Sequence, residues 1–290
     1  MSGGERRQLE TGRAAPYRRN ARKRALLSVA LTAGAVTVAL ITGVIIDGGG
    51  LVTDLTQRNL PPSGDHPFGT DWLGRDMFAR TLKGLALSVG VGLAAASGSA
   101  LVSLLLGTAA ATLGKAADRA ITWLIDLFLS VPHLVSLLLI SFALGGGAKG
   151  IAIGIMLTHW PSLARVIRAE VMQLRNADYI RVSRRLGKSR RWIVFKHMLP
   201  HLAPQAIVGV LLLFPHAVLH EAAITFLGFG LPPDRPAIGI ILSESMRYLS
   251  TGMWWLAFFP GLCLFLVVRA FDSIGDRLRS LVDPVRANRL

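Results

Sequence analysis

The run "GLALSVGVGLAAASGSALVSLLLGTAAATLG", residues 84–114, decides the fold. A bilayer core needs about 20 apolar residues per helix, and this run exceeds that without a single Asp, Glu, Lys or Arg. Within it Gly90, Ala94 and Gly98 recur every four residues, as do Ala95, Ser99, Ser103, Gly107 and Ala111. Small residues on one helix face let backbones approach closely in lipid, where packing replaces the hydrophobic drive. The run reads as a buried central membrane helix.

Residues 25–46, 127–148, 198–220 and 248–268 are equally free of charge, and 150–164 is a shorter sixth candidate. With 52% hydrophobic and 17% charged residues, the 290-residue chain is too apolar for an ordinary soluble domain. Its net charge of +15 is spread between apolar runs, which argues against nucleic acid as a partner. The single Cys263 lies in an apolar run and has no second cysteine to pair with. The first run follows a basic leader without a small-residue cleavage site, so it is read as a retained helix.

Loop charge sets the orientation. Residues 1–24 hold eight Lys/Arg, 115–119 two, 165–196 ten, and the tail from Arg269 five. Those 25 of 32 basic residues fall on one side if there are six spans with both termini cytoplasmic, as the positive-inside bias requires. The expected fold is therefore an all-α polytopic membrane protein with six transmembrane helices. Its parts are a basic cytoplasmic segment (1–24), a first transmembrane helix (25–46), an extracytoplasmic loop (47–83), a core of five further helices (84–271) and a cytoplasmic tail (272–290). In the outer loop, Thr70 is expected to cap a short amphipathic surface helix using Trp72, Leu73, Met77 and Phe78. Prolines 132, 161, 204, 215 and 260 are tolerable inside a packed bundle, and some are expected to mark kinks.

Residues 169–198 form the longest cytoplasmic loop in this topology, and "YIRVSRRLGKSRRWIVFKHMLP" (179–200), which covers most of it and runs into the next span, has seven Lys/Arg and no acid. Its Gly-Lys-Ser is not a phosphate loop: the pattern G-x-x-x-x-G-K-[ST] needs glycine where Val182 stands, and no strand precedes it. Tyr179, Val182 and Leu186 follow i, i+3, i+7 spacing, with Arg181, Arg184 and Arg185 between them, and Gly187 then breaks the helix. A short amphipathic helix protruding from a bundle suits docking in a groove of a soluble partner. A basic loop facing lipid headgroups is the alternative.

The stretch resembles the cytoplasmic coupling motif of ABC-importer permeases, with glycine at Gly187 and the later Leu199–Pro200. The usual Glu-Ala-Ala before the glycine is here Arg181-Val182-Ser183, a departure shared with the peptide/nickel branch, as is His197. "HPFGTDWLGRD" (66–76), "EAAITFLGFGLPP" (221–233) and "FDSIGDRLRSLVDP" (271–284) are similar to the same branch. The resemblance implies the second of two permease subunits in a binding-protein-dependent importer of a prokaryotic inner membrane. Its implied partners are a homologous permease (a heterodimer), two cytoplasmic ATPase subunits, an extracytoplasmic substrate-binding protein and membrane lipid. ATP and Mg would be bound by the ATPases, with no cofactor and no catalytic residue in this chain. ATPase coupling would fall to Tyr179, Arg181, Val182, Arg184, Arg185, Leu186 and Gly187. The runs "THWPSLARVIRAE" (158–170) and "HEAAITFLGFG" (220–230) resemble nickel or metal-chelate permeases more than oligopeptide ones, so a nickel-type solute is favoured and di- or oligopeptide comes next.

Ionisable groups inside spans are functional candidates by default. Asp126 and His133, seven apart, are expected on one face of the third span, and His159, His216, His220 and Glu221 lie in later spans. Asp126, His133, His159, His216 and Glu221 are taken as translocation-path candidates. No metal ligand set is assigned, because spacing alone does not show which histidines face inward. Two other classes stay open, a self-contained secondary transporter or channel and a membrane-embedded enzyme. Either would work without ATPase partners, so transport or catalysis by the lone chain would discriminate.

Overall fold

The computed structural model describes residues 30, 33–34, 36–46 and 51–282, the side chains of 280–282 excepted. The basic segment 1–24, part of the first expected span and the last eight residues lie outside the described residues. The described residues are helical, without a β-strand. In chain order the helices are α1 (Val36–Ile45), α2 (Met77–Thr112), α3 (Lys115–Ser130), α4 (His133–Ala143), α5 (Gly147–Leu174), α6 (Asp178–Arg185), α7 (Arg190–Ile193), α8 (Leu199–Phe226), α9 (Ile238–Ser245) and α10 (Trp255–Val282). A π turn, Val194–Met198, carries α7 directly into α8.

Four helical stretches are long and apolar enough to cross a membrane: α2, α5, α7 continuing through α8, and α10. The bent pair α3–α4 makes a fifth if it is counted as one broken span, and α1 is a shorter apolar helix within the first expected span.

The centre is α2 lying parallel to α5, with α8 against both. Of the two small-residue stripes, one packs as expected: Ala95, Ser99, Ser103, Gly107 and Ala111 are buried. Ser103 donates to the Trp160 carbonyl at 2.8 Å, and a β-carbon on Gly107 would sit 2.8 Å from the Ala164 carbonyl. Glycine is required there because the two backbones touch. The other stripe differs, since Gly90 and Ala94 are exposed.

Two expectations are corrected. The third span is not a straight helix over 127–148; α3 and α4 meet at 101° across Val131–Pro132. The proline ring clashes with helical backbone at the preceding residue, and Val131 is accordingly extended at ψ 140°. α10 runs on to Val282, so the first residues of the expected tail from 272 are helical. The surface helix expected from Thr70 is absent. Thr70 is buried and its hydroxyl donates to the Gln57 carbonyl at 2.5 Å and accepts from the Leu60 N–H at 2.8 Å. The helix starts seven residues later, capped by Asp76, which accepts from the Ala79 N–H at 2.8 Å. Short-range apolar spacing around Trp72 suggested a helix, but long-range hydrogen bonds took those backbone groups.

The bundle has two distinct ends. Arg175, just past α5, donates to the Ala111 carbonyl near the end of α2, so both helices finish at the end that carries α6 and α7. The segment 51–76 lies at the other end, where a β-carbon on Gly69 would come within 2.8 Å of the Trp255 ring at the start of α10.

Candidate functional site

At the α6 end, the sequence-predicted coupling residues form one continuous surface. Ile180 and Ile193 are buried and anchor α6 and α7 to the bundle. Tyr179, Val182 and Leu186 are 46%, 54% and 72% exposed, and Arg181, Arg184 and Arg185 are exposed around them. Helical spacing produces this division, since Ile180 lies opposite the outward row. Gly187 closes the helix at φ +75°, with its N–H donating to the Arg184 carbonyl at 3.0 Å and Lys188 N–H to Ser183 at 3.2 Å. This is a left-handed helix terminator, a conformation glycine adopts without strain. Ser189 then caps α7 by accepting from the Trp192 N–H at 3.2 Å.

His197 ties the two short helices together. Its Nε2 lies 3.2 Å from the Ser183 hydroxyl, and its ring meets Tyr179 and Trp192 edge-on at 5.7 and 5.1 Å. Beside them a cavity of about 340 Å³ is bordered by Arg175, Arg184, Lys188 and Arg190. The surface can thus offer an apolar row together with four converging cations.

The path candidates do not form one group. Asp126 is paired with Arg165 at 2.5 Å on the exposed side of α3, and the bend at Pro132 removes it from the face of His133. A second pair, Asp118–Arg168 at 2.5 and 2.7 Å, joins α3 to α5 in the same way. Glu221 is buried on α8 and its Oε1 accepts from the Thr225 hydroxyl at 2.9 Å. His216 is exposed, and its backbone carbonyl accepts from His220 at 2.7 Å. His133 and His159 do come together, and His220, absent from the expected path set, completes the cluster: ring centroids are 4.5, 4.7 and 5.0 Å apart.

The opposite end carries a network that sequence reasoning missed. Arg80, buried in the first turn of α2, donates to Asp71 at 3.1 Å and to Glu244 of α9 at 2.5 Å. Arg75 also holds Asp71, at 2.7 Å. The Trp72 ring stacks on Tyr248 at 4.7 Å and lies under both guanidinium groups, at 5.5 and 5.6 Å. The α9 helix lies between the expected spans 198–220 and 248–268, and its Ile238 and Ile241 are fully buried.

With this geometry in hand, comparison with known proteins is informative. Residues 103–284 match the family described as binding-protein-dependent transport system inner membrane component. The chain belongs to this family. It is 34% identical over 230 residues to the dipeptide transport system permease protein DppC of Bacillus subtilis, covering 79% of this chain and 72% of that one. It is 34% identical over 232 residues to the oligopeptide transport system permease protein OppC of the same organism, covering 80% and 76%. A putative peptide transport system permease protein of Brucella suis is 33% identical over 249 residues, covering 86% and 83%. Among solved structures, a chain of the MetNI methionine ABC transporter in inward-facing conformations superposes with a TM-score of 0.57 at 18% identity, over 71% of this chain and 98% of that one.

The transport-system family assignment makes this chain a multi-pass permease subunit and a transport component rather than an enzyme, as expected from the resemblance. The matched span takes in the bent pair, the α5–α8 core, the α6–α7 surface and α10. The names of these relatives attach to peptides, so the leaning towards nickel or a metal chelate gains no support from them.

Proposed function

We propose that this chain is one of two homologous permease subunits in an ATP-driven importer of di- or oligopeptides, fed by an extracytoplasmic binding protein. The α6 end is cytoplasmic and the 51–76 end faces outward, consistent with the ten Lys/Arg of 165–196. One observation carries the mechanism: the apolar row Tyr179, Val182 and Leu186 stands exposed on a helix anchored by buried Ile180. Those side chains sit among Arg181, Arg184, Arg185 and Lys188, a setting for a protein groove rather than for hydrocarbon.

An ATPase subunit, binding ATP and Mg itself, receives this row in its groove. The arginines steer docking and pair with acids at the rim. Closing of the ATPase dimer moves α6, and rigid anchoring through Ile180, Ile193 and His197 passes that movement to α5 and α8. The ATPases must bind the inward and outward states with different affinity for the shift to occur.

The experiment is Leu186→Asp in the full importer. A charge buried without a partner at the groove should weaken ATPase association about 30-fold, the effect of losing a hot spot worth ~2 kcal/mol. Peptide-stimulated ATP hydrolysis should fall with it, while the partner permease still co-purifies. Normal ATPase association and normal uptake by Leu186→Asp would make the stretch a lipid-facing loop. Uptake by the lone chain would remove the importer reading altogether.

A further inference from the structure

His133, His159 and His220 stand on α4, α5 and α8, with His159 buried and the other two half-buried. We propose that their side chains form a binding site for a divalent transition-metal cation. One ring nitrogen from each lies within 4.8 Å of the other two. The rings meet edge to face, at 85°, 69° and 78°.

In two of the three rings the other nitrogen is already held. His159 Nδ1 lies 3.0 Å from the Ile155 carbonyl, and His220 Nδ1 lies 2.7 Å from the His216 carbonyl. A ring N–H given to a backbone carbonyl fixes the tautomer and leaves Nε2 as a free lone pair, the usual support behind a metal-ligating histidine. Nε2 of His133 and of His159 are buried with no hydrogen-bond partner among the described residues. Buried polar atoms left this way are costly, and a shared cation satisfies all three rings at once.

Metal–nitrogen bonds are about 2.0–2.1 Å, so each ring has to close in by about 1 Å or less, within reach of small side-chain rotations. Three imidazoles with no carboxylate favour Zn²⁺, Ni²⁺ or Cu²⁺ and disfavour Mg²⁺ and Ca²⁺, which take oxygen ligands. The fourth position is left to water. A cation held there ties α4 and α8 to α5. The site does not depend on the importer reading or on metal being cargo.

The test uses the full chain with the subunits that co-purify with it, isolated through a histidine-free tag, stripped by chelator and titrated without nucleotide. Zn²⁺ and Ni²⁺ are expected to bind at one site per copy of the chain, unaffected by excess Mg²⁺. His159→Ala and His220→Ala should each weaken that site at least ~100-fold, the upper end of what losing a mere orienting partner costs. His216→Ala, whose side chain lies outside the cluster, should bind as the parent does. Co²⁺ should give the intense visible absorption of a four-coordinate ion in the parent and in His216→Ala, and lose it in His133→Ala. Retained subunit assembly checks the fold of each variant. Equal Zn²⁺ and Ni²⁺ affinity in the parent and in properly assembled His220→Ala or His133→Ala overturns the proposal, as does absence of binding to the parent.

Discussion

The two ends of the bundle treat their exposed chemistry in opposite ways. At the 51–76 end, charges and aromatics are matched within the chain: Arg80 is 2% exposed between Asp71 and Glu244, and Trp72 is stacked on Tyr248. At the α6 end the anchors are buried, but Leu186 is 72% exposed and surrounded by cations. In the proposed importer, the locked end supplies a rigid fulcrum and the unsatisfied end a handle. Conformational change imposed by a partner needs both, because a movement at the handle is lost if the far end yields with it.

The largest effect is expected from unlocking the rigid end. Arg80→Met leaves Asp71 and Glu244 competing for Arg75, which reaches Asp71 at 2.7 Å but Glu244 only at 4.0 Å. Removing one partner from a buried charge network costs about 3–5 kcal/mol, and Arg75 keeps the loss near ~3 kcal/mol. The purified assembly should melt at clearly lower temperature. Adding Glu244→Gln should restore part of the loss, since it removes the carboxylate left without a full partner. An Arg80→Met assembly as stable as the parent would show that this end is held by packing alone.

Why the α6 end was legible and the locked end was not follows from sequence distance. Tyr179, Val182, Leu186 and Gly187 fall within a few residues, and local spacing determined both the helix and its exposed row. The stripe from Ala95 to Ala111 was legible for the same reason. Arg80 and Glu244 are 164 residues apart, and no local pattern links them. The α9 helix was hidden because "IGIILSES", at eight residues, is too short to be read as a span. Asp126 was placed beside His133 by assuming an unbroken helix, and Pro132 invalidates that assumption. His220 was seen in the sequence, but its convergence with His133 and His159 depends on how three helices pack.

A middle effect tests whether the handle must be correctly shaped as well as apolar. Gly187 has φ +75°, and a β-carbon there would meet nothing within 4 Å. Any penalty for substitution is therefore backbone strain rather than collision. A β-branched residue in this region costs roughly 1–3 kcal/mol, so Gly187→Val should unwind the end of α6 or displace α7. ATPase co-purification should drop several-fold, and hydrogen exchange should speed up at Leu186 and Lys188. Asparagine tolerates the left-handed region, so Gly187→Asn should retain most of the association. Equal loss in both variants would point to a direct partner contact at residue 187 instead of a backbone requirement.

The smallest effect separates the two ion pairs that fasten α3 to α5. Arg168 grips Asp118 through two hydrogen bonds, at 2.5 and 2.7 Å, and both side chains are about 30% exposed. Arg165 reaches Asp126 through one, at 2.5 Å, and the two side chains are 53% and 59% exposed. Bidentate, partly buried pairs hold geometry as well as charge, whereas exposed single contacts contribute about 0.2–1 kcal/mol and are screened by salt. Arg168→Ala should therefore destabilise the assembly by ~1–2 kcal/mol, and Arg165→Ala by under ~0.5 kcal/mol. Raising the ionic strength should abolish the Arg165 effect before the Arg168 effect. Asp126→Asn should match Arg165→Ala in stability, and should leave peptide uptake within about twofold of the parent if Asp126 serves only this pair. A large loss of uptake at unchanged stability would instead return Asp126 to the translocation path, with Arg165 as its ion-pair partner.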